Sequence, residues 1–348
     1  MWVMRGKALV VGAGIAGLAV AHGLLREGWE VEVRERRGSP PDIGGALGLW
    51  RGSMVALDRL GLGERVRERA ERPRRAVIAD PSGRALAMVD SRRTDARLIS
   101  RSSLLAVLVE GLPEGVVRWN TPVTGCGDDT EGFDVVVGAD GIHSLVRRTA
   151  FPEAADPRPL GTVAYRGAVS GRMETATETW GRGRLFGVTP LDAYTTNWFA
   201  CLRTELLADR QGQDEVDLLR ELYGDWHPMV ALVLDALPGT GVDRRELYDL
   251  PALASYVRGR RVLIGDAAHA MAPNLGRGAC ESLIDASVLA AALGSEPTVD
   301  RALARYDRRR RRPTRRVVHG SRVLNRLSTA VRLDGQRNRL VRVLGSVL

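Results

Sequence analysis

Residues Lys7 to Arg36 read as strand, turn, helix and strand in immediate succession: KALVV, GAGIAG, LAVAHGLLREG and WEVEVRER. That succession opens a parallel crossover unit, and its glycines have separate tasks. Gly12 allows a tight turn, Gly14 lets the backbone approach a pyrophosphate, and Gly17 lets the helix pack closely on the strand. Glu35, with Arg36 beside it, follows the second strand at the roughly 20-residue distance expected of an acid that binds a ribose hydroxyl pair. A GxGxxG motif alone is weak. Here a strand precedes it, a helix follows and the acid is in place, so the stretch points to a dinucleotide rather than to a bare packing turn.

A second stretch, RVLIGDAAHAMAPNLGRGACESLIDA from Arg261 to Ala286, has the same logic. Arg261 to Ile264 is a short β-type run that stops at Gly265-Asp266, as a strand does when its carboxyl end meets a ligand crevice. Pro273, Asn274, Gly276, Arg277 and Gly278 form a loop, and Ala279 to Leu293 is an apolar, alanine-rich helix pattern. Asp266 can accept hydroxyl hydrogen bonds from a sugar-like chain. The helix start offers unpaired N–H groups to an electron-rich ring or oxyanion. His269, set between small residues, reads as structural.

Between these stretches, Ile43 to Gly63 is a glycine-rich loop running into a helix, with Arg51 at the helix start and Gly61 as its stop. Ala76 to Met88 is a hairpin turning at Pro81-Ser82-Gly83. Leu98 to Ser103 leads into the helix LLAVLVEGL, capped by Ser102 or Ser103, with Arg101 just before it. Val116 to Phe133 reads as a short loop, because Pro122 and the glycines Gly125, Gly127 and Gly132 leave little room for strands. Asp134 to Val137 is a buried strand closing on Gly138-Ala139-Asp140-Gly141, followed by a helical segment from Ile142 to Thr149. After a proline-rich linker, Pro152 to Pro159, the runs Val163–Val169, Arg184–Val188 and Thr195–Leu202 alternate as strands of a second, mostly antiparallel sheet. Glu215 to Leu237 is helical, broken at Gly224 and Pro228. The tail from Arg301 is helical and basic, and its Arg308–Arg312 block reads as a solvated face.

The expected fold is therefore α/β: a Rossmann-like dinucleotide-binding domain interleaved with a mostly antiparallel β-sheet domain, then a C-terminal helical tail. The first domain is assigned to residues 1–75, 98–155 and 251–295, the second to 76–97 and 156–250, and the tail to 296–348. A chain of 348 residues, 44% hydrophobic, can bury a core of that size. The net charge of +9 raises the question of nucleic acid. Lys7 is the only lysine, and the arginines are spread along the whole chain, so no nucleic-acid partner is expected. Cys126, Cys201 and Cys280 have no CxxC spacing and read as free or buried thiols of a reducing compartment. The histidines lack ligand spacing, so no metal is expected. Gly12, Gly14 and Gly17 interrupt the N-terminal apolar run, which is neither signal peptide nor membrane span, and a cytoplasmic location follows.

Three stations now stand in order: GAGIAG with Glu35, VVVGADGIHSLVRR, and LIGDAAHAMAPNLGRG. Together they resemble the single-component FAD-dependent aromatic hydroxylases, the family typified by para-hydroxybenzoate hydroxylase. Tyr165-Arg166-Gly167 and Tyr306 with its following arginines are smaller echoes. The resemblance implies that Gly12, Gly14 and Gly17 hold the FAD diphosphate, Glu35 and Arg36 the adenosine ribose, and Arg101 the FAD chain. It also implies Asp266 and Gly265 at the ribityl hydroxyls, Asp140 and Gly141 near the diphosphate, and Pro273 with Gly276 to Gly278 beside the isoalloxazine ring. Arg51 is a further candidate contact. Two departures stand out: the segment 119–134 is short where the family carries a longer β-ribbon, and Arg277 replaces a common glutamine.

No second GxGxxG is present, so NADPH or NADH has no domain of its own and would visit as a co-substrate. The resemblance implies that oxygen adds to reduced flavin as a C4a-hydroperoxide, which hydroxylates or epoxidises an electron-rich aromatic or polyketide- or indole-like molecule. The protein then positions substrate and excludes water. Arg166, Tyr165, Tyr194 and Trp198 are the candidate catalytic side chains from the second domain. A halogenase of this fold would carry Trp-x-Trp-x-Ile-Pro and a pocket lysine, and neither is present. A lipid reductase, or a flavin-binding protein without turnover, remains the other reading. Oligomeric state is not legible.

Overall fold

A computed structural model of the protein describes residues 5–40, 45–73, 75–90, 95–125, 127–210, 212–332 and 334–345. Ile43 and Gly44 of the expected glycine-rich loop, and Cys126, lie outside the described residues. The chain opens with β1 (Lys7–Val11), α1 (Ile15–Arg26) and β2 (Glu30–Arg34), the crossover unit that the first glycines announce. Next come β3 (Ala46–Leu49), α2 (Arg51–Arg59), α3 (Gly63–Arg69), and the hairpin β4 (Arg75–Ala79) and β5 (Ala85–Asp90). The chain continues through β6 (Arg97–Ser100), α4 (Arg101–Glu110), β7 (Val117–Arg118), β8 (Val135–Gly138) and α5 (Leu145–Ala150). Four long strands follow, β9 (Arg158–Ser170), β10 (Ala176–Trp180), β11 (Arg184–Pro190) and β12 (Thr195–Arg203). Then come α6 (Glu215–Tyr223), α7 (Pro228–Asp235) and β13 (Asp243–Asp249). The last part holds β14 (Val257–Arg258), β15 (Arg261–Leu263), α8 (Asp266–His269), α9 (Gly278–Ser295), α10 (Val299–Ser328) and α11 (Asp334–Gly345).

One sheet has the order β14-β15-β8-β1-β2-β7, parallel except for β14. Its central strands are covered on both faces, which is why β1 and β8 read as unbroken apolar runs rather than alternating ones. α1 and α9 pack closely against each other: a Cβ on Gly23 would lie 2.5 Å from the Ala290 methyl. The second sheet, β13-β9-β12-β11-β10-β4-β5, is antiparallel except where β10 meets β4. The mixed α/β fold, with a Rossmann-like sheet, a mostly antiparallel second sheet and C-terminal helices, is as the sequence implies.

Several local expectations are corrected. Ala46–Leu49 is strand rather than loop, paired antiparallel with β6. Ser100 caps α4, its hydroxyl accepting from the Ser103 N–H at 3.0 Å, so Arg101 is the first helical residue. The helix expected from Ile142 starts at Leu145, capped by Ser144. The loop from Val116 to Phe133 contains β7, which extends the parallel sheet. β10 and β13 are likewise not legible in the sequence; β13 is a charged edge strand, DRRELYD, with no alternation to announce it.

The tail departs most. Arg310 lies in the middle of the arginine block yet is 5% exposed, its guanidinium joined to Asp285 at 2.5 Å and Glu281 at 2.6 Å. Arg308 and Arg309 are exposed as expected. An arginine beside two buried carboxylates costs more to remove than it contributes when paired, because it leaves both charges unmatched. Arg310→Ala is therefore expected to lose about 3–5 kcal/mol in urea unfolding. Arg309→Ala should stay within about 0.5 kcal/mol.

Candidate functional site

The ends of the central strands define the site. Arg34, Val11, Gly138 and Leu263 stand level across β2, β1, β8 and β15. Each of those strands therefore ends at one height, and the segments that follow them, Gly12–Gly17, Glu35, Asp140-Gly141 and Gly265-Asp266, lie along a single crevice at the sheet's carboxyl edge. Open α/β sheets bind ligands at this edge.

Each turn is shaped by its glycines. Gly12 has φ +102°, and a Cβ there would meet the Ala139 carbonyl at 2.7 Å. Gly17 is tighter still: its Cβ would come within 1.9 Å of the Gly12 carbonyl. Gly14, the N-cap of α1, has ordinary backbone angles and open space where a Cβ would go. Its missing side chain thus serves room beside the helix start rather than packing. Gly265 has φ +58°, and a Cβ there would press on Ser282 and Ala16.

Glu35 accepts from the Ala13 N–H at 2.9 Å and the Arg37 N–H at 2.9 Å, tying the end of β2 to the first turn. Asp140 accepts from the Leu145 N–H at 2.6 Å and the Val146 N–H at 3.2 Å with one oxygen, while its other oxygen is buried without a partner. Asp266 is exposed at the mouth. Arg101 is brought beside it: burial pushes the Arg101 guanidinium pKa down, and the Asp266 carboxylate opposes that fall, with Arg166 and Arg37 adding repulsion. The neighbours of Arg101 thus come from β2's end, β15's end and the second sheet. Arg51 stands exposed at the first turn of α2.

The loop Pro273–Leu275 ends at Gly276, which is left-handed with φ +59°, and α9 begins at Gly278. Arg277 does not point free into the crevice. It pairs with Glu281 at 2.6 Å, and Glu281 is shared with Arg310. Asp285, fully buried one turn on, accepts from the Gly265 N–H at 2.9 Å and from the His269 ring at 2.5 Å. Burial opposes the Asp285 charge, but His269 and Arg310 outweigh it and hold its pKa at about 2. Burial likewise disfavours a charged His269, and the Asp285 charge and hydrogen bond reverse that, raising the His269 pKa.

The second sheet separates the four catalytic candidates. Cross-strand partners share a face, so Val163, Tyr165, Trp198, Ala200 and Leu202 all point into a core with α6 and α7. Tyr165 and Trp198 are 1% and 0% exposed there, and Trp198 stacks on Phe186 at 5.9 Å. Their side chains lie on the face away from the crevice. Tyr194 is 81% exposed in the turn between β11 and β12. Arg166 alone of the four is on the opposite face, paired with Asp243 at 2.7 Å. That face carries Asn197, whose side-chain oxygen accepts from the Ala46 N–H at 3.2 Å and so joins the second sheet to β3. It also carries Phe199, Gly187 and Glu178, none of which the sequence reading named. Parity along β10 and β12 was the available signal for them, and it needed the register.

The chain matches the FAD binding domain family over residues 5–321. It is 30% identical over 323 residues to the aurachin C monooxygenase/isomerase of Stigmatella aurantiaca, covering 86% of this chain and 83% of that protein. It is 34% identical over 307 residues to 2-heptyl-3-hydroxy-4(1H)-quinolone synthase of Pseudomonas aeruginosa, covering 81% and 79% of the two chains. The structure of Klebsiella pneumoniae HpxO with FAD and uric acid superposes with a TM-score of 0.87 at 25% identity, covering 97% of this chain and 93% of that one. The protein belongs to the FAD-dependent aromatic hydroxylase family. It is a flavoprotein oxidoreductase, and no helix among its described residues is long and apolar enough to cross a membrane.

The buried network should be visible in a pH series. The Asp285 contribution is present above its unfolded value near 3.8 and is lost as pH falls towards 2. The His269 contribution is present below its ordinary value of 6.5 and fades as pH rises through its raised folded value. Urea melts of wild type and Asp285→Asn should therefore differ most between about pH 4 and 6.5, converge as pH falls towards 2, and keep a smaller difference at high pH, where Arg310 still pairs with the carboxylate.

Proposed function

We propose that this protein is a monooxygenase that uses NADPH or NADH and O2, with FAD as resident cofactor, to hydroxylate or epoxidise an electron-rich aromatic or quinolone- or indole-like small molecule. The observation that carries it is the level row of strand ends, which lines up a helix N-terminus, a ribose-type acid and an exposed carboxylate along one crevice. Relatives over most of the chain named as monooxygenases and a quinolone synthase support the reaction class.

The residues present fit FAD. Gly14 leaves open space at the start of α1, where N–H groups face outward to hold a diphosphate. Glu35 with Arg36 would take the adenosine ribose, Arg101 the chain between, and Asp266 beside Gly265 the ribityl hydroxyls. Asp140 and Gly141, in the turn after β8, would lie near the diphosphate. Pro273, Gly276, Arg277 and Gly278 would border the ring, with backbone supplying most of the contact. Arg51 is a peripheral contact from α2.

When bound, FAD accepts a hydride from the nicotinamide and activates oxygen for transfer. The polypeptide must hold the substrate against the ring and keep water away from it. The second sheet does this with its inner face, where Phe199 and Gly187 form the apolar floor and Asn197 fixes the sheet to β3.

Purified protein is expected to be yellow. Gly14→Val should fold, because its backbone angles and surroundings accept a side chain, yet lose most FAD, as should Asp266→Ala; flavin absorbance after gel filtration reads both. Nicotinamide oxidation should consume O2 and quicken with substrate, and mass spectrometry under labelled O2 should find one heavy oxygen in the product. A protein that binds FAD but consumes neither NADPH nor oxygen would be a flavin binder without turnover.

A further inference from the structure

Glu178 is the one carboxylate in the interior of the crevice-facing side of the second sheet among the described residues. Its cross-strand partners are Gly187 on β11 and Ile78 on β4, and the ring of Phe199 on β12 lies over Gly187, 2.0 Å from where a Cβ there would stand. Gly187 thus makes room for the Phe199 ring, which packs flat beside the carboxyl where any side chain would clash. Thr177 and Thr179, its sequence neighbours, are buried on the other face, and Thr179 there bonds to His227 at 2.8 Å. Glu178 itself keeps partial exposure although protein surrounds it, as a group lining a cleft does and a core group does not.

The carboxyl has one strong partner, the Trp180 indole N–H at 2.5 Å. Trp180 is packed in turn against Leu185, Leu86 and Val341, with the Arg337 guanidinium 5.7 Å over its ring. One carboxylate oxygen is therefore held in place, and among the described residues the other has no partner of opposite charge. Burial pushes the Glu178 pKa up to about 6, with the indole bond resisting. The titratable and charged groups about it are few. Cys201 on β12 is a buried thiol pushed up to about 12 and so neutral, and Arg203 lies beyond it towards α10. Arg337 is screened by the indole, and Arg166, three strands away on β9, is matched by Asp243.

Building on the monooxygenase reading above, we propose that Glu178 is the substrate-side base of this enzyme and selects a neutral ring bearing an N–H or O–H, such as a 4(1H)-quinolone, over a ring bearing a carboxylate. The proton balance is simple. The ring N–H or O–H donates to the free Glu178 oxygen; as oxygen is bonded to the ring carbon that proton becomes more acidic, its bond to the ring atom breaks, and a Glu178 O–H forms. The electron pair left behind returns to the ring; the C–H proton at the newly oxygenated carbon is then lost to water as Glu178 gives its proton back to the ring atom, which restores the N–H or O–H and regenerates the carboxylate. A carboxylate substrate would instead place a second negative charge beside Glu178 in a poorly screened site, with no unpaired cation among the described residues on this part of the sheet to offset it.

The test uses the full-length, FAD-loaded protein with 4(1H)-quinolone and 4-hydroxybenzoate as probes. Wild type should bind the quinolone about fivefold more tightly at pH 8 than at pH 5, as expected when a carboxylate rather than a carboxyl accepts the hydrogen bond, and should bind 4-hydroxybenzoate worse. Quinolone-stimulated turnover should show an acid limb near 6 in kcat/KM. Glu178→Gln should abolish both pH dependences and lower kcat/KM by about a hundredfold or more. Glu178→Asp should restore part of the rate together with the acid limb, which a purely structural role would not do. Quinolone binding that is absent, or the same at both pH values, overturns the proposal, as does a Glu178→Gln enzyme that keeps the wild-type rate and limb. If wild type binds quinolone with the expected pH dependence but inserts no oxygen, the monooxygenase reading falls while the contact to Glu178 stands.

Discussion

The carboxylate of Asp285 holds the site together. It is buried at the centre of α9, and it accepts from the Gly265 backbone at the end of β15, from His269 on α8 and from Arg310 on α10. Removing a carboxylate from water costs several kcal/mol unless every lone pair finds a partner, so these bonds also make other placements of those three elements unfavourable. Tyr306 adds a further tie from α10, donating to the Leu263 carbonyl at 3.0 Å. The position of Asp266, immediately after Gly265, follows from this clamp. A flexible loop at that point would not keep a carboxylate level with the turns after β1 and β8.

The second constraint is parity. A strand alternates its side chains, and one register places every residue of a sheet on one of two faces. Tyr165, Trp198 and Phe186 are large, aromatic and attractive as substrate contacts, yet they fill the core under α6 and α7, where Tyr223 meets Phe186 edge-on at 5.3 Å. Large aromatic side chains stabilise a small sheet-on-helix core by their buried area, so they belong there. The crevice face takes the opposite choice: Gly187, Ala164, Ala168 and Phe199 leave a shallow floor, and polar groups are few and separate. This composition suits the proposed role, seating an apolar ring beside one ionisable group.

What the sequence made legible follows from where the physics is local. The first turn, the ADG turn and the GDA turn were readable because each sits where an apolar strand meets glycine within a few residues, and the backbone requirements act at those residues. Ser100 as the cap of α4 was missed by two or three positions, since Ser100, Ser102 and Ser103 are equivalent until the strand before them is seen to end at Ser100. Arg310 could not be told from Arg308 and Arg309 in a run of five, because its partners lie 25 and 29 residues earlier on another helix. Glu178, Asn197 and Phe199 were hidden for a related reason. Alternation shows that two faces exist, but which one meets the crevice is decided by long-range contacts such as Asn197 with Ala46, 151 residues apart.

Arg277 shows how the same constraints settle a question of charge. A cation between the two loop glycines would be expected to favour negative charge on a ring seated there, but its guanidinium is bound twice by Glu281, at 2.6 and 3.2 Å. Glu281 is 2% exposed and also faces Arg310, so the two arginines and the two carboxylates Glu281 and Asp285 balance within one connected network. Its field at the loop is correspondingly small. The electrostatic bias at this edge therefore rests on the backbone: the N–H groups at the start of the 18-residue α9, reached through the side-chain-free positions Gly276 and Gly278. A helix start keeps its partial positive charge at every pH, whereas Glu178 across the cleft changes its charge near 6. In the proposed arrangement the fixed charge lies on the side that would hold the cofactor, and the titrating one on the side that would meet the substrate.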